Sequence, residues 1–248
     1  DTSNVTSMQG MFAWATNVNP DTSSWNTSNV TNMAHLFENT SVAEPDVSTW
    51  NTSNVTTMES MFSGSNANPN VSNWNTSSVI NMAKMFRETP NANPDVSNWD
   101  TSSVTDMGQM FREAASADPN TENWDVSNVT DMDNIFTDSG LSISNYSKFL
   151  IMAESTSSQP NINITSPVKY NQGAATTARN ALINDPTNWV INDLGQVVPD
   201  TPSGLALSNP NSSPGNDNTP TITINGVVSG DTVKLYSDAC ATEVKTGT

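Results

Sequence analysis

Val47-Ser-Thr-Trp50-Asn-Thr-Ser-Asn-Val55-Thr-Thr-Met58-Glu-Ser-Met61-Phe62 decides the fold, because this stretch keeps returning. Val55 belongs to a column with Val5, Val30, Val79, Val104 and Val129, spaced 25, 25, 24, 25 and 25 residues apart. Met8, Met33, Met58, Met82, Met107 and Met132 follow their valines by three residues. Phe12, Phe37, Phe62, Phe86, Phe111 and Phe136 follow by seven, and Trp25, Trp50, Trp74, Trp99 and Trp124 precede the next valine by five. A period in this range marks a solenoid, whose units cannot bury their own apolar face and are stable only when stacked. A stack presents an extended surface more than a closed pocket, which argues against an enzyme.

Within one unit, Trp50 and Thr52 are two apart, as on one face of a strand, and Met58, Met61 and Phe62 are three and four apart, as on one face of a short helix. Thr56 can cap that helix, with Glu59 completing a capping box. Asp106 and Asp131 fall in the first turn of later units, where the helix dipole favours them. Each coil is therefore expected to hold one short parallel strand, one short helix and a return loop, an α/β repeat architecture. The return loop carries Pro20, Pro45, Pro69, Pro94 and Pro119, each pushing its predecessor to extended backbone. The single residue missing between Phe62 and Pro69 falls in that loop, where length changes are tolerated. The expected core is Trp25, Trp50, Trp74, Trp99 and Trp124 with Phe37, Phe62, Phe86 and Phe111. The tryptophans read as a buried ladder rather than an exposed sugar-binding stripe, and the methionines as packing rather than copper ligands.

Formal charge is −17, from 25 acidic and eight basic residues. That excludes nucleic acid, whose phosphates need a basic footprint, and disfavours anionic membrane surfaces. Hydrophobic residues are 34% and charged ones 13%. Asn, Ser and Thr fill the difference, a composition that would read as disorder without the apolar columns. One cysteine, Cys240, and one histidine, His35, rule out a disulfide framework and a Cys- or His-rich metal site within the chain. No cofactor and no metal are expected. No apolar run approaches the ~18 residues of a membrane span, so no membrane insertion is expected. The chain opens inside a repeat and reads as a fragment of a longer protein. Sequons such as Asn29-Val-Thr and Asn54-Val-Thr adjoin the buried valines. A glycan in every coil would obstruct stacking, which favours a bacterial origin.

The pattern Asp-Val-Ser-x-Trp-Asp/Asn-x-Ser-Asn-Val-Thr-x-Met-x-x-Met-Phe, carried by six units over residues 1–140, resembles the 25-residue repeat of BspA-like leucine-rich-repeat surface proteins of bacteria and some protists. Gly140-Leu-Ser-Ile-Ser-Asn-Tyr-Ser-Lys-Phe-Leu-Ile, Val168-Lys-Tyr, Ala174-Ala-Thr-Thr-Ala-Arg-Asn-Ala-Leu-Ile and Asn188-Trp-Val-Ile-Asn-Asp resemble that family's closing cap. The resemblance implies a leucine-rich-repeat-like solenoid, an extracellular or cell-surface location and adhesion to proteins or cells. It supplies no catalytic residues. This copy lacks the cysteine often found after Met-Phe.

Residues 141–196 also read as a cap on their own terms. Tyr146, Phe149, Leu150 and Ile151 suit an amphipathic helix, residues 174–183 an alanine-rich helix, and Trp189, Val190 and Ile191 a final strand. From Val197 to about Pro220 the chain reads as linker. Thr221-Ile-Thr-Ile, the turn signal Asn225-Gly and Thr232-Val-Lys-Leu-Tyr then read as strands. They resemble the opening of a bacterial Ig-like stalk module, so 197–248 is expected to be linker and partial all-β module.

Candidate ligand-binding residues flank the tryptophans. Ser24, Thr49, Asn73, Asn98 and Asn123 form one column, and Asn26, Asn51, Asn75, Asp100 and Asp125 the next. On strands ~4.8 Å apart these become outward ladders. Asn73, Asn75, Asn98, Asp100, Asn123 and Asp125 are the nominated contact residues, against the plainer reading of a solvated face or inter-coil hydrogen bonding. Asp100 and Asp125 would be adjacent like charges, with Asp95 and Glu122 near, which calcium could relieve, but no calcium-loop motif is present. The aligned Thr2, Thr27, Thr52, Thr76 and Thr101 could suggest ice binding, but they are placed inward. His35 is placed on the helical surface. The expected function is a non-catalytic adhesion or recognition domain whose partner is a surface protein or glycan of another cell. The alternative is a structural spacer or assembly module, an oligomer within a surface fibre.

Overall fold

The computed structural model describes residues 2–184 and 186–198, together with the short strand backbones 206–207, 222–223, 233–236 and 243–247. The chain divides into two compact units, Asp1–Gln196 and Val197–Thr248.

In the first unit the six repeats lie one upon the next. Ser7, Asn32, Thr57, Asn81, Asp106 and Asp131 are joined in sequence by parallel single-residue bridges. From that column onward the backbone follows a two-way rule. Met58, Ser60, Phe62 and Gly64 donate their N–H to the next coil, at Asn81, Ala83, Met85 and Arg87, over 2.8 to 3.0 Å. The residues between them, Met61, Ser63 and Ser65, donate backwards by three positions, to Met58, Ser60 and Phe62.

This corrects the expected helix. None lies between residues 2 and 140 among the described residues. Ser60 has φ 53°, as do its counterparts His35, Lys84, Gln109 and Asn134 at 57° to 59°. Four residues on, the chain turns left-handed again at Asn39, Gly64, Glu88, Glu113 and Asp138. A right-handed helix cannot pass through such residues. The three-and-four spacing of Met58, Met61 and Phe62 is produced instead by consecutive turns. These direct alternate N–H groups to the neighbouring coil, so the backbone is satisfied between coils rather than within one.

The expected strand at the tryptophan is corrected as well. Trp50 N–H donates to Val47 O at 3.2 Å and Val55 N–H to Thr52 O at 2.9 Å, so this segment is a pair of turns. Coils are joined here by hydroxyls. Thr27, Thr52, Thr76 and Thr101 are buried and donate to the next coil's Asn51, Asn75, Asp100 and Asp125 carbonyls at 2.8 to 3.0 Å.

The interior is a set of ladders. Val55, Met58, Met61 and Phe62 and their counterparts in the inner coils are fully buried. Phenylalanine rings stack at 5.6 to 5.7 Å from Phe12 to Phe111. Trp25, Trp50, Trp74 and Trp99 stack at 5.9 to 6.5 Å, with Trp25 half-buried and the rest buried. Each buried indole satisfies its N–H on a carbonyl of the preceding coil, as Trp74 does on Val47 O at 3.0 Å.

The sixth coil is closed by two helices. α1 (Ile143–Thr156) starts at Ser142, whose side chain accepts from Asn145 N–H. Its Phe149 meets Phe136 edge-on at 5.0 Å. Ile151, expected on the apolar face, is 41% exposed, because Tyr146, Phe149, Leu150 and Ala153 turn inward. α2 (Ala174–Ile183) packs on α1 through its small face. β1 (Asn163–Thr165), absent from the sequence reading, pairs in parallel with β2 (Val190–Asn192). The latter starts one residue later than expected, since Trp189 donates its backbone N–H to Leu182 O of α2 at 2.8 Å rather than to β1.

In the second unit β3 (Ala206–Leu207) pairs antiparallel with β4 (Ile222–Thr223), and β5 (Val233–Tyr236) with β6 (Glu243–Gly247). β4 and β5 fall in the two segments expected to be strands. The Asn225-Gly turn and Cys240 lie outside the described residues.

Candidate ligand-binding face

The residues beside the tryptophan are positioned by hydrogen-bonded side-chain turns. Asp100 Oδ1 accepts from Ser102 N–H at 3.0 Å and from its hydroxyl at 2.6 Å. Asn75 does the same with Ser77 at 3.1 and 2.7 Å, and Asp125 accepts from Ser127 N–H at 2.8 Å. A second turn column precedes the tryptophan, where Asp46 and Asp95 hold Ser48 and Ser97. Short side chains that bond the backbone two residues on favour such turns. Asp100, Asp95, Asp46 and Asp21 are held below the usual aspartate range, chiefly by the serine hydroxyl and then by the serine N–H.

The nominated residues therefore sit on turns, not on a strand. Four of them come together. Asn98, Asp100, Asn123 and Asp125 line an open depression of about 350 Å³, with Ser97, Trp99 and Thr101. Asn73 and Asn75 are exposed one coil away and do not line it. Asn123 donates to Ser97 O at 3.2 Å. Asn98 and Asn73 are exposed, with side chains that bond to none of the described residues. Asn98 is thus the lining residue freest to meet a ligand.

Asp100 and Asp125 line that depression together, and a further pair of like charges lies at the bridge column. Asp106 and Asp131 are bridge partners, and both carboxylates crowd Gly108, where an added Cβ would lie 3.2 Å from Asp131 Oδ1 and 3.3 Å from Asp106 Oδ1. Burial first, then Asp131 and Glu59, push the Asp106 carboxyl up. Glu122 is paired with Lys148 of α1 at 2.7 Å. Among the described residues no three His, Cys, Asp or Glu side chains are placed to hold a metal ion. His35 is half-buried, on a left-handed turn rather than a helix, with Nδ1 3.0 Å from Glu38 Oε2.

A larger depression of about 480 Å³ was missed in the sequence. It lies on the return loops, among Glu44, Asp46, Asn66, Asn68, Asn70 and Asn91, with Pro45 and Pro69. Its signals were the departure of Glu44 from an asparagine column and the residue missing from the third coil.

No curated protein and no solved structure matches this chain. A family model described as a Mycoplasma protein of unknown function, DUF285, matches residues 1–68 and 36–149. The two matches overlap and together run from residue 1 to 149 of 248, which takes in every coil and the first half of α1. The stacked repeats described above are thus what the family model recognises, and the chain belongs to the DUF285 family.

Proposed function

We propose that this chain is the recognition domain of a BspA-like bacterial surface protein. The coils form a leucine-rich-repeat-like solenoid, and the strands β3 to β6 belong to an Ig-like stalk. The domain is non-catalytic and binds a surface protein or glycan of another cell through the Asn98, Asp100, Asn123 and Asp125 face. The observation that carries this reading is the depression over Trp99. Three of its polar side chains, Asp100, Asn123 and Asp125, are already held by hydrogen bonds to Ser102, Ser97 and Ser127, so they need little ordering on binding.

A second reading is that the chain is a spacer within a fibre. It is favoured by the turn bonds themselves, because Asp100 and Asp125 already have structural partners. The test uses replacements that keep the turns. Asn occupies the Asp100 column at Asn26, Asn51 and Asn75, so Asp100→Asn and Asp125→Asn retain the acceptor and remove the charge. Combined with Asn98→Ala and Asn123→Ala, they are expected to abolish adhesion on protein and glycan arrays and move the melting temperature by no more than ~2 °C. Unchanged adhesion favours the spacer.

A further inference from the structure

Two columns of asparagines carry the acceptor sequence Asn-x-Ser/Thr for N-linked sugars, and the stack holds them differently. Beside the valines, Asn29, Asn54 and Asn128 each donate Nδ2 to a carbonyl of the preceding coil, at Ser3, Ser28 and Ser102, over 2.7 Å. Those amides are tied to the stack. After the tryptophans, Asn26, Asn51 and Asn75 are exposed. Asn51 Oδ1 accepts from Ser53 N–H at 3.1 Å and from its hydroxyl at 2.7 Å, Asn75 holds Ser77 in the same way, and Asn26 Oδ1 accepts from Ser28 N–H at 3.1 Å. Their Nδ2 groups bond to none of the described residues. The serine is the third residue of each sequon, so the turn holds the amide by its oxygen and leaves its nitrogen free. The next residues of this column are Asp100 and Asp125, which keep the turn but offer no amide. The column thus loses its sequon where the depression over Trp99 begins.

We propose that Asn26, Asn51 and Asn75 are attachment sites for N-linked sugars, transferred from a nucleoside-diphosphate sugar to the folded domain. In the transfer Nδ2 bonds to the anomeric carbon of the sugar. The bond from that carbon to the diphosphate oxygen breaks, its electron pair leaves with the nucleoside diphosphate, and one amide proton passes to a base of the transferase. Oδ1 remains an acceptor, so the serine turn survives the modification. A sugar on Asn29, Asn54 or Asn128 would instead have to disturb an inter-coil bond. Stacking therefore opposes a bulky glycan in the valine column and tolerates one in the tryptophan column. Sugars would clothe the second, third and fourth coils. The Asn98, Asp100, Asn123 and Asp125 depression itself holds no attachment site, because none of the four opens a sequon. The three asparagines lie outside that depression, so the assignment stands or falls independently of the function proposed above.

The experiment incubates the intact, folded chain with UDP-glucose and a soluble N-glycosyltransferase chosen because it modifies both Asn51 and Asn54 in the free peptide Trp50–Met58. Sites are read by peptic digestion and electron-transfer fragmentation. In the folded chain Asn26, Asn51 and Asn75 are expected to carry glucose. Asn29, Asn54 and Asn128 should react at least about tenfold more slowly, the weight of one inter-coil hydrogen bond. The melting temperature of the modified chain should stay within ~2 °C of the parent. Asn75→Asp copies Asp100, so it should fold like the parent and take one glucose fewer by intact mass. The proposal is overturned if the folded chain takes no sugar while the peptide does, or if Asn54 reacts as fast as Asn51 in the folded chain. It is equally overturned if the modified chain melts well below the parent, or if Asn75→Asp gains the same mass as the parent.

Discussion

At the residue scale, one indole serves two purposes. Trp74 is 4% exposed, stacks between Trp50 and Trp99, and closes a hydrogen bond to the coil before it. Trp74→Ala should cost ~3–5 kcal/mol in urea unfolding, as for other buried aromatic deletions. A cost near zero would contradict its place in the core. The aspartates divide into two kinds. Asp21, Asp46, Asp95 and Asp100 have folded pKa values below their unfolded ones. Their contribution is therefore complete at neutral pH and is lost as pH falls through the carboxylate range, below about 4. Asp100→Asn should flatten that acid limb. Asp106 has the opposite sign, because burial and Asp131 raise it, so its charge opposes folding at neutral pH. Asn occupies its column at Asn32 and Asn81 and makes the same turn bond. Asp106→Asn should thus raise the melting temperature, by about 1–2 °C at pH 7 once solvent screening is allowed for, and by less at pH 4.

At the element scale, the segment after each valine is a run of alternating turns, and glycine tells it from a helix. Gln109 has φ 58° and a side chain that bonds to none of the described residues. In a helix, Gln109→Gly would destabilise by nearly 1 kcal/mol. In a left-handed turn it relieves strain, so stability should hold or rise by up to ~1 kcal/mol in thermal or chemical unfolding. The cap has its own clamp. Asp193, with its side chain 1% exposed, receives Tyr146 OH at 2.8 Å and Arg179 Nε at 2.8 Å, which ties α1, α2 and the end of β2 together. Removing one partner leaves a buried charge uncompensated. Asp193→Ala should cost ~3–5 kcal/mol, seen as early loss of amide protection in residues 143–192 under hydrogen exchange.

At the scale of the whole molecule, stability follows stacking. Inner coils are covered on both sides, whereas in the first coil Met11 is 47% and Trp14 70% exposed, and Phe12 is half-buried. Amides of Met8, Gly10 and Phe12 should therefore exchange faster than those of Met82, Lys84 and Phe86, although both sets make the same inter-coil bonds. The other end depends on its helices. A chain ending at Gly140 would expose Phe136 and Ile135 and should aggregate in light scattering. A soluble monomer with an unchanged melting curve would show the helices to be dispensable.

The sequence by itself determined the stack, its period, its buried columns and its closing helices, because burial imposes identity. Every coil must place valine, methionine, phenylalanine and tryptophan at the same level, and that demand is visible in one dimension. It also placed Asn73, Asn75, Asn98, Asp100, Asn123 and Asp125 outside the core, since residues flanking a buried column must face outward, but not that only the last four share one depression. What joins the coils was decided only in the tertiary structure. Met58, Met61 and Phe62 have helical spacing, yet a chain of alternating turns matches that spacing and lets every second N–H reach the next coil, a gain no isolated coil can express. The missing residue and Glu44 were plain to read, but the gap they leave exists only once the neighbouring return loops are laid side by side. The same holds for Asp106 and Asp131, 25 residues apart in the chain and bridge partners in space.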